Sequence, residues 1–323
     1  MKAHFSVDLG GTNIACAVAD EELTVLGETR TPTESHLGPD GVIERMGDAI
    51  ESLASESGVE PIGVGVGVPG LADIRRGRTL FLPNLPTQWR DVAVAEPLAE
   101  RLGCPVSLLN DARMAALGEL TFGAGKDDPA ATFAFFTLGT GIGGGIAIDG
   151  KLRLGPLGAA AELGHQTILP DGPLCGCGNR GCLETLASGP ALIGKGAWLL
   201  RCGRAPKLRE LIEGDLNRLT PFVMVEAAEA GDAAVRDVIL EASGYLGIGV
   251  ANLVTALHPD LIVLGGGVAR MGDTLFDTVR EVVRDRVRMF PPDNVRIEPS
   301  RLGDQAGVWG GLALARNPEL VDV

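Results

Sequence analysis

Basic residues are scarce in this chain: 28 lysines and arginines face 42 aspartates and glutamates, a formal net charge of −14 over 323 residues. A surface of that sign repels phosphate backbones and disfavours nucleic acid as a partner. A phosphate-bearing ligand must instead be held by local backbone dipoles and a cation. Aromatic residues make up only 4%, so valine, leucine, isoleucine and alanine have to fill the core. No apolar run reaches the roughly 18 residues of a membrane span. The opening stretch MKAHFSVDLGG lacks the basic-then-apolar pattern of an export signal. The expectation is therefore a cytoplasmic protein with no membrane partner. Low-complexity tracts and short tandem repeats are also missing.

Glycine is plentiful, with 46 residues set inside apolar, strand-like runs. That placement points to tight turns and close backbone approaches rather than disorder. The length fits two lobes of ordinary domain size. Residues 4–9 and 132–138 are apolar runs that each end in a glycine-rich turn, DLGGTN and TLGTGIGGG, followed by return strands over 14–19 and 146–148. One strand–turn–strand unit in each half reads as an internal duplication at the scale of lobes. Apolar spacing predicts helices over 41–55, 92–102, 111–120, 187–200, 233–257, 274–287 and 306–315, and strands over 62–68, 106–109 and 261–264. Asn110 or Asp111 is a natural cap for the third of those helices. Alternating strands and helices give an α/β architecture with ligands at the carboxyl ends of strands, in a cleft between the lobes. The expected division is a small lobe of residues 1–122 plus 305–323 and a large lobe of residues 123–304.

Several motifs carry chemistry. In the turn Asp8-Leu9-Gly10-Gly11-Thr12-Asn13, paired glycines let backbone N–H groups face a phosphate, Thr12 and Asn13 add donors, and Asp8 can hold Mg²⁺ through water. By itself the turn is equally compatible with a plain hairpin. Thr140 and Gly141 lie in a second such loop. It contains a G-x-G-x-x-G match but is followed by a strand, which excludes the dinucleotide fingerprint. Gly265-Gly266-Gly267, after an apolar strand, would let the backbone approach a base or ribose. The P-loop-like spacing from Gly189 to Lys195 fails, because no strand leads into it and glycine stands where a hydroxyl is required. Asp111, after Asn110 at a helix start, can accept a proton from a substrate hydroxyl, or Asn110-Asp111 can be a simple cap. Asn84 can pair with vicinal hydroxyls. The most specific pattern is His165-x9-Cys175-x-Cys177-x4-Cys182, three thiolates and an imidazole spaced for a closed, structural Zn²⁺ site.

In order along the chain, DLGGTN, GVGVPG, PNLP, NDARMAALGE, LGTGIGGGI, AAELGH, CGCGNRGCLE and LGGGV resemble the ROK family of sugar kinases, closest to its bacterial glucokinases. The resemblance implies a two-lobed actin-like, hexokinase-like ATPase fold with ribonuclease H-like duplicated lobes. It implies ATP with Mg²⁺ and transfer to the 6-hydroxyl of a hexose, glucose first, with a kinase of N-acetylmannosamine or another hexose, or a non-catalytic sugar-sensing protein, as the alternatives. Asp111 corresponds to the general base. Asn84, Asn110, Asp111, Glu162, His165 and Glu184 correspond to sugar contacts. Asp8, Gly10, Gly11, Thr12 and Thr140 match the phosphate loops, and His165, Cys175, Cys177 and Cys182 match zinc ligands. Dimers are usual in the family, and a homodimer or homotetramer is the expectation. Its repressors carry a DNA-binding domain ahead of DLGGT; with that motif starting at residue 8, the expectation is a kinase rather than a repressor. Two positions depart from the pattern: Ala161 where glycine is common, and Arg113 where asparagine is common.

Overall fold

The computed structural model describes residues 1–322 apart from 83, 84 and 87. The chain forms two compact units: Met1–Ala131 with Gly145–Ala161 and Arg301–Val323, and Thr132–Gly144 with Glu162–Ser300.

In the first unit, β1 (Lys2–Leu9) and β2 (Asn13–Ala19) form a hairpin, extended by β3 (Val25–Pro32). Helix α1 (Gly38–Ser57) buries Val42, Ile43, Met46, Ile50 and Leu53 along one stripe and ends at Gly58, whose φ of 64° is the left-handed cap that favours glycine. Next come β4 (Glu60–Val68), a small hairpin of β5 (Leu71–Asp73) and β6 (Arg78–Phe81), α2 (Ala95–Leu102), β7 (Val106–Asn110) and α3 (Asp111–Thr121). The sheet order is β3-β2-β1-β4-β7, with β1, β4 and β7 parallel. In register, Asp8 of β1 pairs with Gly67, and Gly67 with Leu109 of β7. Asp8 and the Asn110-Asp111 turn therefore leave the same carboxyl edge, where ligands of parallel sheets bind.

The second unit holds β8 (Phe133–Leu138) between the start of β9 (Ile142–Ile148) and β11 (Leu261–Gly265), with β12 (Arg296–Pro299) beyond β11. Its helices are α4 (Leu183–Ala187), α5 (Gly189–Arg201), α6 (Pro206–Leu211), α7 (Pro221–Glu229), α8 (Ala233–Leu257) and α9 (Asp273–Arg286). The helix expected over 187–200 is two helices. Ser188 interrupts it and caps α5, its hydroxyl accepting from Ala191 N, with Pro190 in the first turn. The Lys195 of the P-loop-like spacing lies inside α5 and pairs with Glu241. Among the described residues α8 is long and apolar enough, by length and composition, to cross a membrane. However, 56% of its most apolar stretch is buried within the protein, the pattern of a core helix.

The return strand expected at 146 starts at Ile142, so Gly143, Gly144 and Gly145 are strand residues rather than loop. Packing is the reason. A Cβ at Gly144 would meet Leu163 at 2.6–2.8 Å, and one at Gly145 would overlap the Ala116 side chain. Residues 145–161, which the sequence alone put in the large lobe, group with the first unit. There β10 (Lys151–Arg153) pairs with β13 (Val321–Asp322), and Gly158 packs against Ala72 O.

Helix α10 (Ala306–Arg316) completes the first unit at backbone contact distance. A Cβ at Gly310 would overlap Met114 O, and one at Gly118 would overlap Ala306 O. Gly65 meets Gly311 O in the same way, and Gly311 meets Ser6 Oγ, where Ser6 and Gly65 are themselves register partners. The fully buried Glu119 ties this corner together by accepting N–H bonds from Ala124, Arg301 and Leu302 at 2.8–3.2 Å.

Two glycine substitutions separate propensity from packing. Replacing a helical glycine by alanine is favourable by about 1 kcal/mol where there is room, whereas forcing a methyl into a filled contact costs about 1–3 kcal/mol or more. Gly194→Ala, in open space on α5, is expected to hold or raise the denaturation midpoint. Gly310→Ala is expected to lower it by an amount equivalent to about 1–3 kcal/mol. Urea unfolding of both variants checks the opposite signs.

Candidate active site and metal centre

Asp111 opens α3, where the helix N-terminus favours a negative charge. Asn110 is the cap: its side chain accepts from Arg113 N at 3.2 Å. Asn110 Nδ2 donates to Gly70 O at 3.0 Å and to Asp111 Oδ1 at 2.9 Å, and Ala112 N donates to the same Oδ1 at 2.7 Å. Burial nevertheless pushes the Asp111 carboxyl up to about 6; the Ala112 N–H pulls it back, the charge of Asp8 adds to the rise, and Arg113 and Asn110 oppose it. Asp8 is raised as well, by burial, with Arg30 opposing. The Asp8 charge thus adds to burial in pushing Asp111 toward neutrality, and a carboxyl raised to about 6 is placed to exchange a proton at mildly acid to neutral pH.

The turn after β1 is closed by Gly10 N donating to Asn13 O at 2.9 Å. Thr33 Oγ1 donates to Gly10 O, and Thr33 N to Thr12 O, so the loop is pinned from β3's side while Gly11 and Thr12 are exposed. In the second unit the loop at Gly139–Gly141 is closed by Gly139 N donating to Gly141 O, with Thr140 exposed. Glu184, in the first turn of α4, lies against this loop. Its Oε2 accepts from Ile142 N at 2.9 Å and occupies the space a Cβ at Gly141 would need. Gly266 has φ 83° and would overlap Leu138 O if it carried a Cβ, while Gly267 faces open space.

Also in the second unit, the ligand atoms of His165, Cys175, Cys177 and Cys182 all lie within 4.8 Å of one another. Cys177 and Cys182 sulfurs are 3.7 Å apart, and Cys175 Sγ is 3.6 Å from His165 Nδ1. Ligands held at Zn–S ≈ 2.3 Å in a tetrahedron stand roughly 3.8 Å apart, so these residues fit a four-coordinate ion. Burial raises the Cys175 thiol, and the Cys182 thiol to about 12, while the Asn179 backbone N–H lowers Cys177. A cation is what lets all three ionise together. Hairpin-like bridges Thr167↔Cys182 and Leu174↔Arg180 shape the loop. Glu162 Oε2 sits 4.0 Å from His165 Nε2, and Glu184 Oε1 lies 4.0 Å from Cys175 Sγ. Asn84 lies outside the described residues.

Within the first unit the structure thus brings together Asp8, Asn110 and Asp111, and within the second Glu162, His165, Glu184 and the three cysteines. Sequence spacing did not reveal that Glu184 braces the 139–141 loop, or that Arg113 contacts Asn110. An arginine inside the first turn of a cap-led helix was the available signal for the second.

The ROK family model matches residues 4–318. The chain belongs to the ROK family. Glucokinase of Streptomyces coelicolor is 36% identical over 319 residues, 97% of each chain. The ROK hexokinase of Thermus thermophilus superposes with a TM-score of 0.82 at 35% identity, covering 97% of each chain. A ROK glucokinase of Streptomyces griseus, solved with glucose and AMPPNP, superposes with a TM-score of 0.79 at 34% identity, covering 97% of this chain and 99% of that one. The fold is that of the ROK sugar kinases.

The raised acidity constant of Asp111 has a stability consequence. A carboxyl whose folded value exceeds its unfolded value of 3.8 opposes folding once ionised. The penalty is absent below pH ~4, grows between about 4 and 6, and is full above about 6. Asp111→Asn removes it, and the amide oxygen can still accept from Ala112 N and Asn110 Nδ2. The ligand-free variant is expected to be more stable than the parent at pH 7.5 by on the order of 1–2 kcal/mol, discounted because water still reaches this partly buried group. The gain should vanish near pH 4. Thermal unfolding across that range checks both points.

Proposed function

We propose that this ROK-family chain is an ATP-dependent glucokinase, transferring the γ-phosphoryl of Mg-ATP to the 6-hydroxyl of glucose. The observation that carries it is Asp111, a carboxylate at a helix start that burial pushes up to about 6, in a chain 36% identical along nearly its whole length to a glucokinase. In this assignment Asp111 is the general base that accepts the 6-hydroxyl proton as that oxygen attacks phosphorus. Asn84, Glu162, His165 and Glu184 are assigned to the sugar hydroxyls, and Asn110 would join them only by giving up one of its bonds to Gly70, Asp111 or Arg113. Gly10, Gly11, Thr12, Asn13, Thr140 and Gly141 are assigned to the phosphates, and Gly265, Gly266 and Gly267 to the nucleoside. Mg²⁺, when bound, neutralises charge on the phosphate oxygens, and Asp8 would hold it through water. The ion of the Cys₃His site is assigned as structural Zn²⁺, held by His165, Cys175, Cys177 and Cys182. Reduced thiols and the acidic surface fit a cytoplasmic enzyme, and the family resemblance favours a homodimer or homotetramer.

A coupled assay for ADP release tests the assignment. Glucose should give the highest kcat/KM, mannose and 2-deoxyglucose less, and N-acetylmannosamine least. Two glutamates reward a free 2-hydroxyl, and each lost hydrogen-bond partner costs on the order of 1–3 kcal/mol. Asp111→Asn should cut kcat by at least about 10²-fold while largely keeping KM. Turnover of N-acetylmannosamine above glucose would redirect the substrate to another hexose, and sugar-independent ATP hydrolysis would remove the sugar kinase altogether.

The metal assignment has its own check. Elemental analysis should find one zinc per chain, and Cys177→Ser should lower zinc content and activity together by loosening the loop that carries His165 and precedes Glu184. Fully active protein devoid of zinc would overturn it.

A further inference from the structure

Arg113, the departure from the family pattern, is only 2% exposed. A buried guanidinium is costly unless its donors are used, and two of the groups they reach are Ala160 O and the Asn110 amide. Nε and Nη2 both donate to Ala160 O, at 3.0 and 2.6 Å, and Nη1 donates to Asn110 Oδ1 at 2.8 Å. Asn110 Oδ1 also receives the Arg113 backbone N–H.

An asparagine amide has one accepting end and one donating end, and its neighbours decide which way it lies. Two donors from Arg113 fix the oxygen end of Asn110. The NH₂ end is then committed to Gly70 O and Asp111 Oδ1. With Ala112 N, Asp111 Oδ1 receives two N–H bonds. Among the described residues no hydrogen bond reaches Oδ2. An oxygen whose lone pairs are engaged by two donors is the poorer proton acceptor.

We propose that Arg113 is a positioning residue that, by fixing the Asn110 amide, dedicates Oδ2 of Asp111 as the atom that takes the sugar proton. This rests on the glucokinase assignment above. The balance is simple. The O6–H bond breaks and its proton goes to Oδ2. O6 forms a bond to the γ-phosphorus, and the bond from that phosphorus to the bridging oxygen of ATP breaks, ADP leaving with the electron pair. Without the Arg113 side chain only the residue-113 backbone N–H holds the oxygen end of Asn110, so the amide is held less firmly and Asp111 presents Oδ2 less consistently. The guanidinium also contributes charge. Asp8 from β1 pushes Asp111 toward the neutral form, Arg30 acts on Asp8, and Arg113 on α3 favours the carboxylate.

The test uses the full chain with Arg113→Gln and Arg113→Lys beside the parent, reading kcat, both KM values, the acid limb of the kcat/KM profile, and the ¹³C titration of the Asp111 carboxyl. For Arg113→Gln, kcat should fall about 10- to 100-fold with KM for ATP little changed. Its acid limb and carboxyl titration should both move to higher pH. Arg113→Lys keeps the charge but not the fork, so its titration should return toward the parent while kcat stays several-fold low. Parental kcat in either folded variant overturns the proposal, as does a loss of kcat with the titration unmoved in Arg113→Gln. If Arg113→Gln does not fold, Arg113→Lys decides through kcat and KM. A parent that fails to phosphorylate glucose counts against the kinase assignment. The carboxyl titration then still reads the coupling of Arg113 to Asp111, and an unmoved titration overturns it.

Discussion

The contact on which the first unit depends is the backbone-to-backbone approach of α10 to α3 and to the sheet beneath. Gly118, Gly310, Gly311 and Gly65 are not turn residues here. They are the absence of side chains where carbonyl oxygens of Met114, Ala306 and Gly311 come within contact. At that distance the helix carrying Asp111 cannot slide without overlap, because packed interiors resist displacement by even one methyl group. Gly307, on α10, faces Asp8. The spacing of four between Ala306 and Gly310, and between Gly307 and Gly311, puts both small pairs on adjoining faces of one helix. A single short element thereby sets the height of α3 over the strands that carry Asp8 and Asn110.

On that frame sits an electrostatic compromise. Asp111 gains from the helix start and its N–H donors and loses from burial and Asp8. A carboxylate with only the first pair of influences would be too weak a base to matter near neutral pH, and one with only the second would stay protonated. The second unit solves a related problem in the opposite way. Three thiols crowded within a few ångströms resist ionising together, and their ligand atoms with that of His165 are spaced so that a cation placed among them would reverse the balance.

Much of this was legible in the residues, and what was legible was local. The Asn110 cap, the stripe of Val42, Met46, Ile50 and Leu53, and the Cys175–Cys182 spacing all involve partners within a turn or a short loop, so their pattern is written contiguously. What escaped is long-range. Arg113 meets Ala160 across 47 residues, and Glu119 meets Leu302 across 183. No spacing rule announces such pairings. Gly143–Gly145 were ambiguous for a different reason, since glycine serves loops and crowded strands alike and only Leu163 and Ala116 decide between them. The break at Ser188 was readable in Ser188-Gly189-Pro190, where a cap residue precedes proline, but it was masked by apolar spacing that runs on through it.

The order of the chain adds a constraint of another kind. The first unit draws on residues at both extremes of the sequence, with the bulk of the second unit inserted between them. On the ribosome, β1, β4 and α3 emerge early, but the helix that covers their glycine face comes only after residue 305. The second unit's segments are all synthesised before that point and can fold as a body while the first waits uncapped. Ser6, Gly65 and Met114 then spend most of translation exposed to whatever the nascent chain meets. The surface most exacting about its final partner is the one that waits longest to find it.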